Sequence, residues 1–193
     1  MFTGVTKKTP DNLLLDAGAY FKNYDIASDT PETAKAKLIG ATQGGGSFTA
    51  TATIRHIEVD GVPGPVKGLE RVDRWDIVMT ANVKEVTADN MKIALAAASI
   101  GTAEAPAGYQ HIEGKLDVDA GDYVDNITWV GRLKGSEKPV IIVIHNALSL
   151  NGLNLTTTDK NEAVIAMTLT AHFDPDNLDK VPYDIYYPTV TGA

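Results

Sequence analysis

The residues most able to do chemistry are spread thinly along this chain. Its four histidines are isolated from one another, and none lies in a His-x-His or His-Glu-x-x-His pattern. A zinc site would have to be assembled from several strands, so packed or surface histidines are the favoured interpretation. The sequence contains no cysteine and no Gly-x-Ser-x-Gly elbow, which removes two common nucleophile signatures. We therefore predict no catalytic residue and no enzyme activity. The histidines are His56, His111, His145 and His172.

Two short motifs superficially resemble ligand-binding loops. Asp117–Asp122 suggests a calcium loop, but Gly121 stands one position too early and no glutamate occupies the twelfth position. A polar turn is the favoured interpretation of that motif, with calcium as the alternative. Gly44–Gly46 lacks the Lys-Ser/Thr pair that reaches a nucleotide's phosphates, so a turned loop is predicted there. The sequence thus predicts no cofactor and no metal.

Composition narrows the class of protein further. The chain has 193 residues, of which 44% are hydrophobic and 22% charged, and its net charge is −8. This length supplies one core without disulfides, and this balance excludes a wholly disordered chain, a collagen or a coiled coil. An acidic chain is also poorly suited to gripping nucleic-acid phosphates. No apolar run approaches the length of a membrane-spanning helix, and the N-terminus lacks a signal-peptide pattern. We therefore expect a soluble protein that is made in the cytoplasm and has no membrane partner.

Strand patterns dominate the chain. In the first strand, odd-numbered residues from Leu13 to Phe21 are apolar and should face the core. Apolar residues change parity after Ile54, which predicts a β-bulge near Arg55-His56. Asp60-Gly61 and Asn151-Gly152 predict two-residue hairpin turns, and the run at 139–150 is apolar on both faces, as a central strand would be. The predicted strands are 13–24, 48–59, 64–70, 72–86, 109–118, 123–133, 139–150, 153–158 and 163–171.

One segment changes to a helical period. Thr87 suits an N-cap, and apolar residues then recur at helical spacing until Gly101, which predicts a helix over about 87–100. The predicted fold is therefore mainly β: an antiparallel β-sandwich or partly rolled barrel with one flanking α-helix. We assign 1–193 to a single domain, with an N-terminal arm at 1–10 and a long irregular loop at 24–47. Within that loop, Thr30-Pro31-Glu32 suits the start of a short helix.

Several strand faces opposite the predicted core carry short neutral polar side chains. An ordinary solvated sheet face carries more lysine and glutamate. One interpretation is a solvated face that favours threonine for its β propensity. The other is a polar wall that faces a channel. The residues are Thr49, Thr51, Thr53, Thr80, Asn82, Asn126, Thr128, Thr168 and Thr170.

The chain resembles the major tail tube proteins of long non-contractile-tailed phages and related prophages. The resembling stretches are Leu13–Ala19, Leu38–Phe48, Ile57–Gly61 and Val66–Leu69, and the order of the elements agrees over nearly the whole chain. None of these stretches is catalytic, so the likeness rests on their order. The resemblance implies a virion structural protein that self-assembles into stacked hexameric rings. The rings would surround a tape measure protein and conduct DNA without binding it specifically.

Residue roles follow from the resemblance as expectations. Thr80, Asn82, Thr168 and Thr170 are expected to face the lumen of the tube. Gly44, Gly45, Gly46, Ser47 and Phe48 are expected to contact neighbouring subunits or rings. The protein would be located in the virion tail and made in the host cytoplasm, with other tail proteins as partners. Alternatives are a ring-forming completion or distal tail protein, the inner tube of a contractile tail or secretion apparatus, and a non-catalytic carbohydrate-binding β-sandwich.

Overall fold

The structure is a computed structural model that describes residues 3–101, 103 and 105–189. Met1 and Phe2 of the predicted N-terminal arm, and residues 190–193 of the predicted domain, lie outside the described residues. The α-helices are α1 (Pro31–Lys35) and α2 (Ala88–Leu95), and single 3-10 turns occupy Thr9–Asn12 and Ala120–Asp122. The strands are β1 (Leu14–Lys22), β2 (Thr42–His56), β3 (Glu70–Val83), β4 (Ala98–Gly101), β5 (His111–Gly114), β6 (Val124–Leu133), β7 (Val140–Ser149), β8 (Leu155–Thr158), β9 (Asn161–Thr170) and β10 (Tyr183–Tyr186).

The fold is mainly β, with antiparallel sheets and few helices, as predicted. The main sheet follows the order β1-β6-β7-β9-β3-β2, while β10 pairs with β7, β8 pairs with β9, and β4 pairs with β5 in a small second sheet. The sheet is not closed into a barrel, because β1 and β2 form its two ends. A sandwich-like arrangement is compatible with this order.

The main sheet has two halves: β1, β6, β7 and β10 form one, and β2, β3, β8 and β9 form the other. Strand β7 joins them. It pairs with β6 from Val140 to Ala147 but with β9 only at Leu148 and Ser149. Asn146 has a φ of 47°, a left-handed conformation that bends a strand. This strand was predicted to be central, and it is largely buried along its length.

The core draws side chains from both halves of the sheet. The odd-numbered apolar residues of β3 and β9 point into it, which confirms the predicted alternation of those two strands. Because these residues contact buried residues of β1, β6 and β7, the two halves pack against each other. The large, deeply buried side chains of this cluster are Tyr20, Ile77, Met79, Val83, Ile127, Ile144, Ile165, Met167 and Leu169.

The predicted inward face of β1 was wrong. The buried residue is Tyr20, an even-numbered position, whereas Leu13 and Leu14 are exposed. Asp16 and Gly18 both have left-handed backbone conformations, and the register with β6 shifts between Leu15 and Ala19. A bulge of this kind changes which parity of residue faces the core.

The β2–β3 hairpin also differs from its prediction. The predicted bulge exists nearby, but its extra residue is Asp73 on β3, opposite the step from Thr53 to Ile54. Asp60-Gly61 does turn the chain, yet residues 57–69 form a long exposed loop rather than a two-residue turn with a return strand at 64–70. Several glycines and prolines in this loop remove ladder donors or disfavour strand conformation.

Helix α2 is shorter than predicted. Thr87 caps it as expected, with its side chain accepting a hydrogen bond from the Asn90 backbone N–H. The helix ends at Leu95 because Ala96 adopts a φ of 63°, and the following residues form β4. The buried Asn90 side chain donates to the carbonyl oxygens of Ile39 and Glu85 at 2.9 and 2.8 Å, which anchors the helix to the end of the sheet.

Two further segments differ from their predicted structures. The Asn151-Gly152 connection does not make a hairpin, since β8 pairs with β9 and not with β7. The predicted strand at 109–118 is reduced to β5, which pairs with β4.

The predicted irregular loop at 24–47 is only partly irregular. It contains α1, which begins at Pro31 behind the Thr30 cap as expected, and β2 begins within it at Thr42. Gly44 and Gly45 have φ values of 78° and 67°, and the register with β3 shifts across them. The predicted contact residues therefore lie in a bulged strand, not in a loop.

Gly46 lies where β2 packs closely against β3 and Tyr20. A Cβ there would lie 2.0 Å from the Thr80 carbonyl oxygen and 2.3 Å from the Tyr20 hydroxyl. We expect Gly46→Ala to lower the free energy of unfolding by about 1–3 kcal/mol, because the backbone must move to admit the methyl group. Urea denaturation monitored by fluorescence measures this change. Gly64→Ala is the matched control, since no atom lies within 4 Å of its Cβ position; an equal loss in both variants would contradict the explanation.

Candidate functional site

Thr80, Asn82, Thr168 and Thr170 lie on one face of the main sheet. They alternate with the core residues of β3 and β9, so they project away from the core. Thr80 pairs directly with Thr168, Thr170 lies opposite Val78, and Asn82 lies opposite Ala166. All four side chains are half-buried among their neighbours. We call this surface the polar face.

Strand β2 extends the polar face by one row. The Ser47 hydroxyl lies 2.8 Å from the Thr80 hydroxyl, and the Ser47 backbone N–H donates to the same oxygen at 2.9 Å. The contact therefore joins a residue predicted to face the lumen, Thr80, to one predicted to contact a neighbouring subunit, Ser47. Lys84 and Glu162 form an ion pair of 2.9 Å at the end of this face, and the hydrogen bond from Lys84 lowers the pKa of Glu162. Hydroxyl and amide groups therefore occupy the middle of the face.

Gly44–Phe48 places its side chains on two sides of β2. Ser47 joins the polar face, while Phe48 packs inward with its ring centroid 5.8 Å from that of Tyr183. Tyr183 also lies 5.7 Å from Trp75, measured between ring centroids. The aromatic contacts fix the root of the β2–β3 hairpin to β10. Phe48 is thus a packing residue, and the available part of this segment is its backbone and Ser47.

Beyond the last contact with β9, β2 and β3 continue as a two-stranded hairpin. The last β3–β9 pair is Val78 with Thr170, whereas β2 and β3 stay paired as far as His56 with Glu70. We call residues 51–76 the arm. Sequence reasoning missed the arm because both of its strands show the same alternation as strands that remain in the sheet.

One side of the arm is apolar and uncovered. Ile54 is 54% exposed and Val72, its cross-strand partner, is 52% exposed. These residues continue the inward face of the hairpin past Trp75, where no described element covers it. On the opposite side, Arg55 and Asp73 form an ion pair of 3.2 Å. The arm is therefore amphipathic, which is unusual for a surface that faces only water.

The tip of the arm, residues 57–69, adds more exposed apolar side chains. The Ile57 N–H donates to the Leu69 carbonyl across the base at 2.8 Å. Two turns lie within the tip: the Val62 N–H donates to the Val59 carbonyl at 3.3 Å, and the Leu69 N–H donates to the Val66 carbonyl at 3.0 Å. A loop of this length without secondary structure is typically functional. The exposed apolar residues of the tip are Ile57, Val59, Val62 and Val66.

Both ends of the main sheet present strand edges. In the described part of the chain, β2 pairs only with β3, which leaves one edge of a 15-residue strand open. The outer edge of β1 carries only a short contact, Phe21 with Leu38. Monomeric proteins usually protect such edges, because they can pair with another chain.

The Asp117–Asp122 motif is a polar turn held by an ammonium group. Lys115 Nζ lies 2.7 Å from Asp119 Oδ2 and 2.6 Å from Asp122 Oδ2. Among residues 3–101, 103 and 105–189, no group of three or more potential metal ligands lies close enough together to hold an ion. Burial acts to raise the pKa of Asp122, but hydrogen bonds from Lys115 and the Asp119 backbone outweigh it and leave the pKa lowered.

The lowered pKa of Asp122 predicts a pH dependence of stability. Its stabilising contribution is present above the ordinary aspartate pKa of about 3.9 and is lost as the pH falls through the lowered value. We expect Asp122→Asn to destabilise the protein at pH 7 and to lose less additional stability than the wild type below pH ~4. Urea midpoints measured from pH 7 to pH 3 check this. Parallel curves for the two proteins would mean that Asp122 does not contribute. Asp117→Asn, on the exposed side of the turn, is the control.

A second polar cluster ties β10 to β7. His145 Nε2 lies 2.8 Å from Asp184 Oδ2, and Lys180 Nζ reaches the same oxygen at 3.3 Å. Burial acts to raise the pKa of Asp184, but the hydrogen bonds from His145 and Lys180 lower it overall. The nearby His172 Nδ1 lies 3.1 Å from the Asn146 carbonyl oxygen at the bend of β7. These contacts organise the corner where the strand crosses between the halves of the sheet.

Comparison with known proteins adds no family assignment. No known protein-family model matches the chain, and no curated protein matches it significantly in sequence. None of the helices in the described ranges is long and apolar enough to cross a membrane.

Proposed function

We propose that this protein is a structural subunit of a phage tail tube. The observation that carries the proposal is the arm: a hairpin that leaves the sheet with one apolar side uncovered and ends in an apolar tip. Such a hairpin is suited to packing against another copy of the same subunit. The resemblance in sequence supports the same assignment.

The open edge of β2 supports the proposal independently. Its free backbone groups can extend the sheet into a neighbouring copy, which would remove an edge that a monomer leaves exposed. Hexameric rings that stack into a tube use lateral and axial contacts at once. In the proposed assembly, the strand edges supply lateral contacts and the arm supplies axial ones.

The polar face suits the lumen of such a tube. Its central residues are neutral hydroxyls and an amide, and the charges at its end are paired. DNA slides past a surface of this kind because no cationic cluster holds its phosphates. A tape measure protein would occupy the lumen before the DNA, and the assembled protein would belong to the virion tail.

Negative-stain electron microscopy of the purified, concentrated chain tests the proposal. We expect stacked rings or hollow tubes. Single rings that never stack would favour the completion or distal tail alternative. Monomers that fail to polymerise even on isolated tail initiation complexes would contradict the tube assignment, and glycan binding by those monomers would support the carbohydrate-binding alternative.

Lysine substitutions on the polar face test the position of the lumen. We expect Thr80→Lys and Thr168→Lys to allow tubes to form but to slow DNA passage, because each subunit of every ring adds cations that attract phosphate. DNA ejection from reconstituted virions measures the rate. Lys7→Thr, in the exposed N-terminal segment, is a control for altered charge. Unchanged ejection in both polar-face variants would place that face elsewhere in the assembly.

A further inference from the structure

The connection between β7 and β8 has an unusual path. Ser149 pairs with Leu169 and Leu155 pairs with Ile165, so both strands lie along the same edge of β9. Residues 150–154 leave this edge after β7 and return to it at β8. This segment contains Asn151-Gly152, the only Asn-Gly dipeptide in the sequence.

The surroundings of Asn151 and Gly152 do not restrain either residue. Asn151 is exposed, and Gly152 has a φ of 69° with no atom within 4 Å of its Cβ position. In the described part of the chain, neither the Asn151 side chain nor the Gly152 N–H makes a hydrogen bond. Because glycine carries no side chain, nothing shields its backbone nitrogen from the neighbouring carboxamide.

We propose that Asn151 is a site of spontaneous deamidation. The Gly152 backbone nitrogen, after losing its proton to solvent base, attacks the Asn151 side-chain carbonyl carbon and forms a five-membered imide. The bond to the side-chain amide nitrogen breaks, and that nitrogen leaves as ammonia. Water then opens the imide at either carbonyl, which gives an aspartyl or an isoaspartyl residue. A neutral amide becomes a carboxylate, so the net charge changes from −8 to −8 − 1 = −9.

The other asparagines of the chain should deamidate more slowly. Each precedes a residue with a side chain, which crowds the attacking nitrogen. Several are also held in place. Asn90 is buried and donates two hydrogen bonds. The Asn126 side chain accepts from the Tyr24 N–H, and the Asn146 side chain donates to the His172 carbonyl. The reaction is therefore selective for Asn151.

The two products differ in their effect on the sheet. An aspartyl residue keeps the backbone length, whereas an isoaspartyl residue adds a methylene between β7 and β8. Leu153 packs against the core, and the Asn154 carbonyl accepts from the Ala166 N–H at 3.3 Å. A longer connection disturbs both contacts, so the isoaspartyl form loosens β8 from the edge of β9.

Peptide mapping by mass spectrometry tests the proposal on the purified full-length chain incubated at 37 °C and mildly alkaline pH. We expect conversion at Asn151 to exceed that at every other asparagine and to be roughly tenfold slower in Gly152→Ala, where a methyl group crowds the nitrogen. Enzymatic methylation specific for isoaspartate should label the same peptide. An unchanged Asn151 amide, or equal conversion at Asn151 and Asn154, would overturn the proposal.

A second variant controls for a change in loop conformation caused by Gly152→Ala. Asn151→Gln retains the glycine but forces a six-membered ring, so the isoaspartyl label should disappear from this peptide. Persistence of the label would show that another residue is the source. Hydrogen exchange at β8 then compares aged and fresh protein; increased exchange only in the isoaspartyl fraction is expected, and equal exchange would overturn the proposed loosening.

Discussion

Replacement of residues 58–68 by Asn-Gly should abolish assembly and leave the folded subunit intact. The cut is possible because Ile57 and Leu69 are already hydrogen-bonded at 2.8 Å, and the next pair, His56 with Glu70, is in register. Asn-Gly favours the two-residue turn that joins such strands. The deleted residues are exposed, so stability should change by less than about 0.5 kcal/mol.

The shortened arm loses the exposed valines of its tip, so it should no longer reach a second copy. Thermal unfolding and circular dichroism check the fold, and electron microscopy checks assembly. A same-length variant with Val59, Val62 and Val66 changed to serine separates lost apolar surface from lost reach. Leu116→Ser is the control, because Leu116 is fully exposed away from the arm. Normal tubes from the shortened chain would refute the role given to the arm.

Sequence patterns identified the strands that obey simple alternation. From Trp75 onward in β3 and from Ala163 onward in β9, the odd positions are apolar, and the structure buries most of them. Thr87 likewise identified the start of α2, since a capping hydroxyl acts locally. In each of these cases the information lies within a few residues of the element.

The errors arose where tertiary contacts or single backbone conformations decided the outcome. Asp16, Ala96 and Asn146 have positive φ values that few non-glycine residues adopt, and each redirects a strand or ends a helix. The extra residue in the β2–β3 hairpin lies at Asp73 on β3, whereas the prediction used only the parity change on β2. Strand β8 pairs with β9 because β7 bends before it, and no local sequence pattern predicts the position of that bend.

For the candidate site, the sequence correctly placed Thr80, Asn82, Thr168 and Thr170 away from the core. It was wrong for Thr128, which is fully buried. Alternation alone places Thr80 and Thr168 on a face, whereas their direct pairing depends on the register of strands far apart in the chain. The arm could not be predicted, because a strand that leaves its sheet keeps the same alternation. Its signal is that pairing of β3 with β9 stops at Val78 while pairing with β2 continues, which only three-dimensional structure reveals.

A matched pair of isoleucines separates core stability from assembly. Ile77 lies in β3 and is 1% exposed, whereas Ile54 lies in the arm and is 54% exposed. We expect Ile77→Ala to lower the free energy of unfolding by about 2–5 kcal/mol, because it leaves a cavity in the core. The same truncation at Ile54 should cost less than about 0.5 kcal/mol in the monomer. Chemical denaturation of both variants measures these differences.

Assembly should respond in the opposite order. The Ile54 side chain contributes to the uncovered side of the arm, so its loss weakens contacts between copies while the subunit stays folded. Ile77→Ala retains the arm, and at a temperature where that variant remains folded it should still form tubes. Light scattering at increasing protein concentration compares the two thresholds for polymerisation. If Ile54→Ala destabilises the monomer as much as Ile77→Ala, the arm packs against its own subunit, and its apolar side is part of the core.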